Sequence, residues 1–466
     1  MSVVICGVCP HPPIAVPEVG REESAAVEAT QKALVELGRR VRESGAETVV
    51  IISPHAPVFQ DVAGINKTPL LRGDFGSFRA PHVRFELTND LSLAGEIIRA
   101  AGETELPAVE LTGEMERRYG ISLRLDHGVT VPVYFLRKAG VKLPLVHVSM
   151  AIAPPEKLYS FGLAVRKAAE SLGRRTALLA SGDLSHCLSP DAPGGYNPRG
   201  REFDEQIARL LACPDVEGII RMDRSLVDQA GECGYRSIVM MLGALDGYEV
   251  KAEVLSYEGP FGVGYLTASL LPGAANTERS FLAKLRSERR KEVARRRAGE
   301  SFLVRLARET LESYIKGRPR PEIGEVPDEF KGRAGVFVSI KKHGSLRGCI
   351  GTIEPVQSSI VEEVAANAIS AGVNDPRFQP VGEDELDDLE YSVDVLKPPE
   401  PVGGLDELDP KRYGVVVRAG RRKGLLLPDL EGIDTAAEQV AIARRKAGIG
   451  PDEPVQLERF EVVRYR

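Results

Sequence analysis

Histidines standing directly behind predicted strands are the residues of this sequence best suited to chemistry. Three of the seven, His11, His55 and His186, end short apolar runs in the strings CPHPP, SPHAP and GDLSHC. In open α/β sheets, sites assemble in the loops beyond the carboxyl ends of the strands. Residues far apart in the chain can therefore converge there. His11 and His55 each lie between prolines, which fix the local backbone and limit the entropy lost when a ligand is positioned. His127, in LDHG, precedes a further apolar run, VTVPVYFL, and could join them. Two histidines and a carboxylate on one face of a divalent iron leave coordination positions open, which suits O2 chemistry. Glu232, in AGECGYRS, is the first choice of carboxylate because it opens a predicted helix after a glycine-containing turn. Glu258, in SYEGPFG, follows a strand and is the alternative, while Asp183 caps or orients the SGDLSH turn.

The remaining candidates carry less. His82, His147 and His343 are read as turn, strand or surface residues. Cys6 and Cys9 form a CxxC, but with no second pair the zinc signal is weak. Cys187 is read as small-residue packing, and the adjacency of Ser185 and His186 does not make a nucleophile–base pair.

The elements that must position these residues are strand–helix units over the first 270 or so residues. SVVICGV, TVVIISPHAP, VKLPLVHVSM, RTALLASGDLSH, YEVKAEVLSYEG and GVGYLTASLL read as strands, several of them continuous apolar runs suited to a sheet covered on both faces. Helical spacing of Val27, Leu34, Leu37 and Val41 predicts a helix from Glu22 to Glu43, and others are predicted over Pro155–Ser171 and Arg201–Leu211. The division expected is residues 1–273, a basic helical connector at 274–299, and a second domain at 300–466. That domain begins with helix FLVRLARETLESYIKG, a loop rich in Pro and Gly, and strand GVFVSIKKHG.

A chain of 466 residues exceeds one core. The formal charge of −6 argues against a nucleic-acid binder. No apolar run of about 18 residues predicts a membrane span, and the start lacks the pattern of a secretory signal. Six irregularly spaced cysteines fit reduced thiols and a cytoplasmic setting. A homo-oligomer is compatible with this composition.

The succession PHPP, SPHAP, LDHG, SGDLSH and a late Gly-Glu segment, over Ser2 to Leu270, resembles the class III extradiol dioxygenases of the protocatechuate 4,5-cleaving type. The resemblance implies an α/β fold with His11, His55 and Glu232 as ligands of Fe(II). It also implies His186 as acid/base and His127 as a residue that orients substrate. An aromatic, phenolic or catecholic substrate and O2 would be the reactants. The same region is similar to the Memo family, which has a Cys-Gly segment at the late position. Glu232 and Cys233 stand side by side here, so either family's third ligand is available.

LRGCIGT, NDPRFQP and GLLLPDLEG, over Glu300 to Arg466, resemble the AMME domain, which implies a smaller α+β fold. Around LRGCIGT, a polar cluster of Asn374, Asp375 and Arg377 is weighed against a structural turn in which Arg347 pairs with Asp375. The joined arrangement resembles the AmmeMemoRadiSam system proteins, whose companion is a radical-SAM protein. With no CxxxCxxC here, such a cluster would reside in a separate partner. Two rivals to the dioxygenase reading remain: a metal-holding scaffold without turnover and a zinc hydrolase that activates water.

Overall fold

The computed structural model describes residues 2–342, 344–430 and 432–466, so His343 lies outside the described residues. The chain forms two compact units divided between Glu288 and Arg289. The expected connector is one helix, Phe281–Ala298, with only Leu282 buried, and the boundary falls inside it. Among the described residues no helix is long and apolar enough to cross a membrane.

The first unit is built on an eight-stranded sheet. In chain order its strands are Val3–Cys9 (β1), Thr48–Ser53 (β2), Ala63–Asn66 (β3), Ala108–Leu111 (β4), Leu145–Ser149 (β5), Thr176–Ser181 (β6), Tyr248–Glu258 (β7) and Tyr265–Ala275 (β8). The spatial order is β7-β8-β1-β6-β2-β5-β3-β4. The central four, β1, β6, β2 and β5, run parallel, while β7 and β8 close one side as an antiparallel pair. Every residue of β2, β5 and β6 is buried. Their alternating side chains feed two cores. Val50, Ile52, Leu178 and Ala180 point into one, with helices Leu91–Ala101, Pro155–Ser171 and Tyr235–Gly243. Val49, Ile51, Ala177 and Leu179 point into the other, with helices Glu28–Glu43 and His127–Lys138. Helices thus cover both faces, the α/β arrangement that continuous apolar strands require.

Three local departures from expectation matter for the site. The α-helix expected from Glu22 starts at Glu28, preceded by a 3-10 segment over Arg21–Val27. His127 is the first residue of a helix rather than part of a loop, because Asp126 caps it by accepting from Gly128 N. A hairpin, Leu70–Phe75 with Ala80–Thr88, carries His82 at an exposed position.

The second unit is α+β, with two four-stranded antiparallel sheets. The first orders Ser345–Gly351, Val336–Lys342, Leu389–Leu396 and Val462–Tyr465. Residues of helices Phe302–Ile315 and Ile360–Val373 build its core. The second orders Glu400–Val402, Gln456–Phe460, Gly414–Ala419 and Arg422–Leu426, with helix Ala436–Lys446 against it.

Candidate metal centre

Strands β1, β6 and β2 are neighbours and parallel, with Cys9 opposite Ser181 and Ala180 opposite Ile52. Their carboxyl ends therefore open at one place, and the loops leaving them carry His11, Asp183 with His186, and His55. His11 Nε2 and His55 Nε2 lie 3.0 Å apart. The Cys233 Sγ is 3.6 Å from His11 Nε2 and 4.0 Å from His186 Nε2. One donor atom each from His11, His55 and Cys233 falls within 4.8 Å of the others. Two nitrogens at about 2.1 Å from a shared ion are separated by about 3.0–3.4 Å. The spacing of the two imidazoles fits one metal ion.

His127 completes an imidazole cluster. Its ring stacks on His55 at a centroid distance of 4.2 Å and meets His11 edge-on at 5.1 Å. Phe78, at the turn of the hairpin, covers the other edge of His127 at 5.6 Å.

Each donor is held from behind. His11 Nδ1 is hydrogen-bonded to Ser181 Oγ at 2.8 Å, and its backbone N–H donates to Asp183 Oδ1 at 2.8 Å. With the proton on Nδ1, Nε2 is free to bind a metal. The His55 N–H donates to Ser53 Oγ, which donates to Asp126 Oδ1 at 2.6 Å. Behind Asp126 stands His147, buried in β5, with Nε2 3.4 Å from Asp126 Oδ2.

Cys233 arrives through a second pair of contacts. Its N–H and that of Gly234 donate to the Asp183 carbonyl, and its Sγ accepts from Asp183 N at 3.2 Å. A Cβ on Gly182 would lie 2.0 Å from Gly234 Cα, so this approach of two turns requires glycine at 182.

The electrostatics favour neutral donors. Burial lowers His11 well below the ordinary histidine value, with His55 and His127 adding to the effect. Burial, then His127, lowers His55 to about 4. His127 and His186 are lowered by burial as well. Asp183 is pushed up to about 7 by burial, against the His11 N–H. Burial also raises the Cys233 thiol well above its ordinary value, so its proton must leave when a metal binds.

The structure brings His11, His55, His127 and His186 together and leaves Glu232 out. Glu232 is turned away from the cluster: its carboxylate accepts from Tyr235 N and sits 3.7 Å from Arg236. There it serves the start of helix Tyr235–Gly243, and burial raises it to about 7. The sulfur one residue later occupies the place foreseen for its carboxylate. Glu258 is also elsewhere, accepting from Thr30 N and Thr30 Oγ1 at the start of helix Glu28–Glu43. Cys6 and Cys9 point into opposite cores, as residues of unlike parity in a strand must, and form no zinc site. Ser185 Oγ donates to the Ala230 carbonyl and is not paired with His186. His147 lies in its strand as expected, and Ser181 and Asp126 join the site unforeseen; only Asp126, a capping residue before His-Gly, carries a sequence signal.

In the second unit Arg347 pairs with Glu385 at 2.7 Å, not with Asp375. Asp375 instead holds Arg377 at 2.7 Å and accepts from Cys349 N at 2.9 Å. Asn374 ends helix Ile360–Val373.

Comparison with known proteins agrees with both units. Residues 6–268 match the catalytic LigB subunit of aromatic ring-opening dioxygenase, and residues 304–466 match AMMECR1. A protein of Clostridium acetobutylicum is 44% identical over 460 residues, covering 98% of each chain. A Thermotoga maritima protein is 51% identical over 172 residues, 36% of this chain and 99% of its own. The crystal structure of an uncharacterised protein from Pyrococcus horikoshii is 36% identical, with 35% of this chain and 88% of that one covered and a TM-score of 0.33. The chain belongs to the family that joins a LigB-type domain, that of aromatic ring-opening dioxygenases, to an AMMECR1 domain.

Proposed function

We propose that the first unit binds one divalent metal ion, Fe(II), through His11, His55 and Cys233, and oxygenates an aromatic substrate of phenol or catechol type. The observation that carries this reading is the convergence of three donor atoms within 4.8 Å beside two further imidazoles. Imidazole and thiolate suit iron, and they suit zinc as well. Bound there, iron would supply Lewis acidity toward a phenolic oxygen and electron transfer to O2. His186, kept neutral, accepts the proton of a substrate hydroxyl and returns it later in the reaction. His127, stacked on His55 and fixed by its helix, lines the substrate's approach and supplies a second proton acceptor.

The thiolate in place of a carboxylate favours a second reading, a metal-holding scaffold that works with a separate radical-SAM protein. The two readings part on oxygen consumption. The chain is purified without oxygen, its metal measured, and O2 uptake followed with catechol and protocatechuate. The first reading expects about one iron per chain, O2 uptake and the absorbance of a ring-opened product. Iron or zinc bound with no uptake on either compound would replace it by the scaffold. Zinc-supported hydrolysis without oxygen would replace it by a hydrolase.

A further inference from the structure

A large cleft lies wholly within the second unit. Its volume is about 1520 Å³, above the range of about 300–1,000 Å³ usual for small-molecule sites. Its floor is one face of the first sheet. Cys349, Ser339 and Ser392 form a polar row across three neighbouring strands, Ser339 lying opposite both of the others. Ser339 Oγ donates to Cys349 Sγ at 3.2 Å, which orients the sulfur on the floor of the cleft. Both backbone groups of Cys349 are pinned: N–H to Asp375 Oδ2, and the carbonyl by Arg377 Nη2 at 3.1 Å. The sulfur is thus half-buried, held in position and part of no disulfide.

The walls set the ligand's chemistry. Phe337, Ile353, Leu425 and Leu427, members of one apolar cluster, offer apolar surface to it. Of the acidic groups lining the cleft, Asp375, Asp394 and Glu300 are each matched by an arginine, Arg377, Arg464 and Arg308. Among the described residues Lys341, Lys446 and Arg295 line it without an ion pair, against Glu292 and Asp429 on the acidic side, while the α-carboxylate of Arg466 offsets its own guanidinium. A positive excess inside a walled cleft concentrates anions.

We propose that this cleft binds an organic anion with an apolar body and seats it over the Cys349 thiol. The site is independent of the metal centre, and its ligand meets a nucleophile already oriented by Ser339. Lys341, two residues from Ser339 on the same strand, is an unmatched cation along the floor.

Alkylation of the full-length chain tests this, read cysteine by cysteine by peptide mass spectrometry at low salt. The thiolate sulfur displaces iodide from iodoacetate, which is anionic, or from iodoacetamide, which is neutral; a C–S bond forms, C–I breaks and iodide leaves. Exposed Cys213 is the internal reference. The iodoacetate-to-iodoacetamide rate ratio at Cys349 should exceed that at Cys213 by about tenfold. Octanoate should slow reaction of Cys349 but not of Cys213, and acetate at equal concentration should do neither. Lys341→Gln should bring the ratio at Cys349 down toward that of Cys213, because the ratio cancels any change in the reactivity of the thiol itself. Equal ratios at the two cysteines in the wild-type chain would overturn the anion site. Failure of octanoate to protect Cys349 would overturn the apolar body.

Discussion

The imidazole of His11 can offer Nε2 to a metal only while its Nδ1 proton is taken up elsewhere, and Ser181 Oγ is the acceptor within reach. Removing such a partner loses one hydrogen bond, about 1 kcal/mol. It also frees the ring to rotate and change tautomer, which commonly costs about 10–100-fold in metal affinity. Ser181→Ala is therefore expected to fold with a slightly lower urea midpoint and to bind metal about 10–100-fold more weakly, by competition with a chromophoric chelator. Unchanged affinity would assign Ser181 to packing alone. One residue further along the argument, Glu232 and Cys233 make opposite predictions. Cys233→Ala and His11→Ala should lose the metal, whereas Glu232→Gln should keep it, because that side chain serves Tyr235 N and Arg236. Retention in Cys233→Ala with loss in Glu232→Gln would reverse the ligand assignment. This pair also marks where the sequence stopped being legible. His11, His55 and His186 announce themselves by following apolar strands. Which of two adjacent side chains faces them is decided by the Gly182–Gly234 approach, a contact 52 positions apart that no local pattern encodes.

Elements matter here through what ties their ends down. The loop carrying His186 is anchored by Asp204 of helix Pro198–Ala212, whose carboxylate accepts from Ser185 N at 2.8 Å and from Tyr257 Oη at 2.7 Å. Burial pushes Asp204 up from 3.8 to about 6, against the Ser185 N–H. A carboxyl whose folded value is raised keeps its proton longer in the folded chain. Folding is therefore favoured at low pH and loses stability as pH rises from about 4 to about 6, then changes no further. The shift of roughly two units corresponds to about 3 kcal/mol at most. Urea unfolding of the metal-free wild type and of Asp204→Asn should show the variant gaining on the wild type across that interval. A difference that is flat with pH would remove the buried carboxyl from the account. Strands and long helices were readable because burial on both faces leaves continuous apolar runs. The start of helix His127–Lys138 was not, since VTVPVYFL is β-branched and contains Pro132. The capping by Asp126 and the packing of Val129, Val131 and Val133 override those preferences. Asp126→Ala should accordingly lower stability by about 1–2 kcal/mol. Asp126→Asn, which can still accept from Gly128 N, should cost less than half of that in the same measurement.

At the scale of the whole chain, the sequence predicts a basic helical connector at 274–299 between two domains, and the two units divide within that span, inside helix Phe281–Ala298. A helix with one buried residue in eighteen contributes little apolar burial of its own, so each unit must rest on its own core. The second unit has one under each sheet and a smaller one of Leu396, Val416, Leu425 and Phe460, all closed by residues of its own segment. The piece Arg289–Arg466, expressed alone, is therefore expected to unfold cooperatively in urea. The piece ending at Glu288 should hold metal with the affinity of the full chain, because all of its proposed donors and their supports lie before Tyr265. A second piece that shows no cooperative transition would mean that its core depends on the first unit. A first piece that folds but binds metal more weakly would mean that the second unit acts on the metal centre, an effect that the independence of the two cores does not predict.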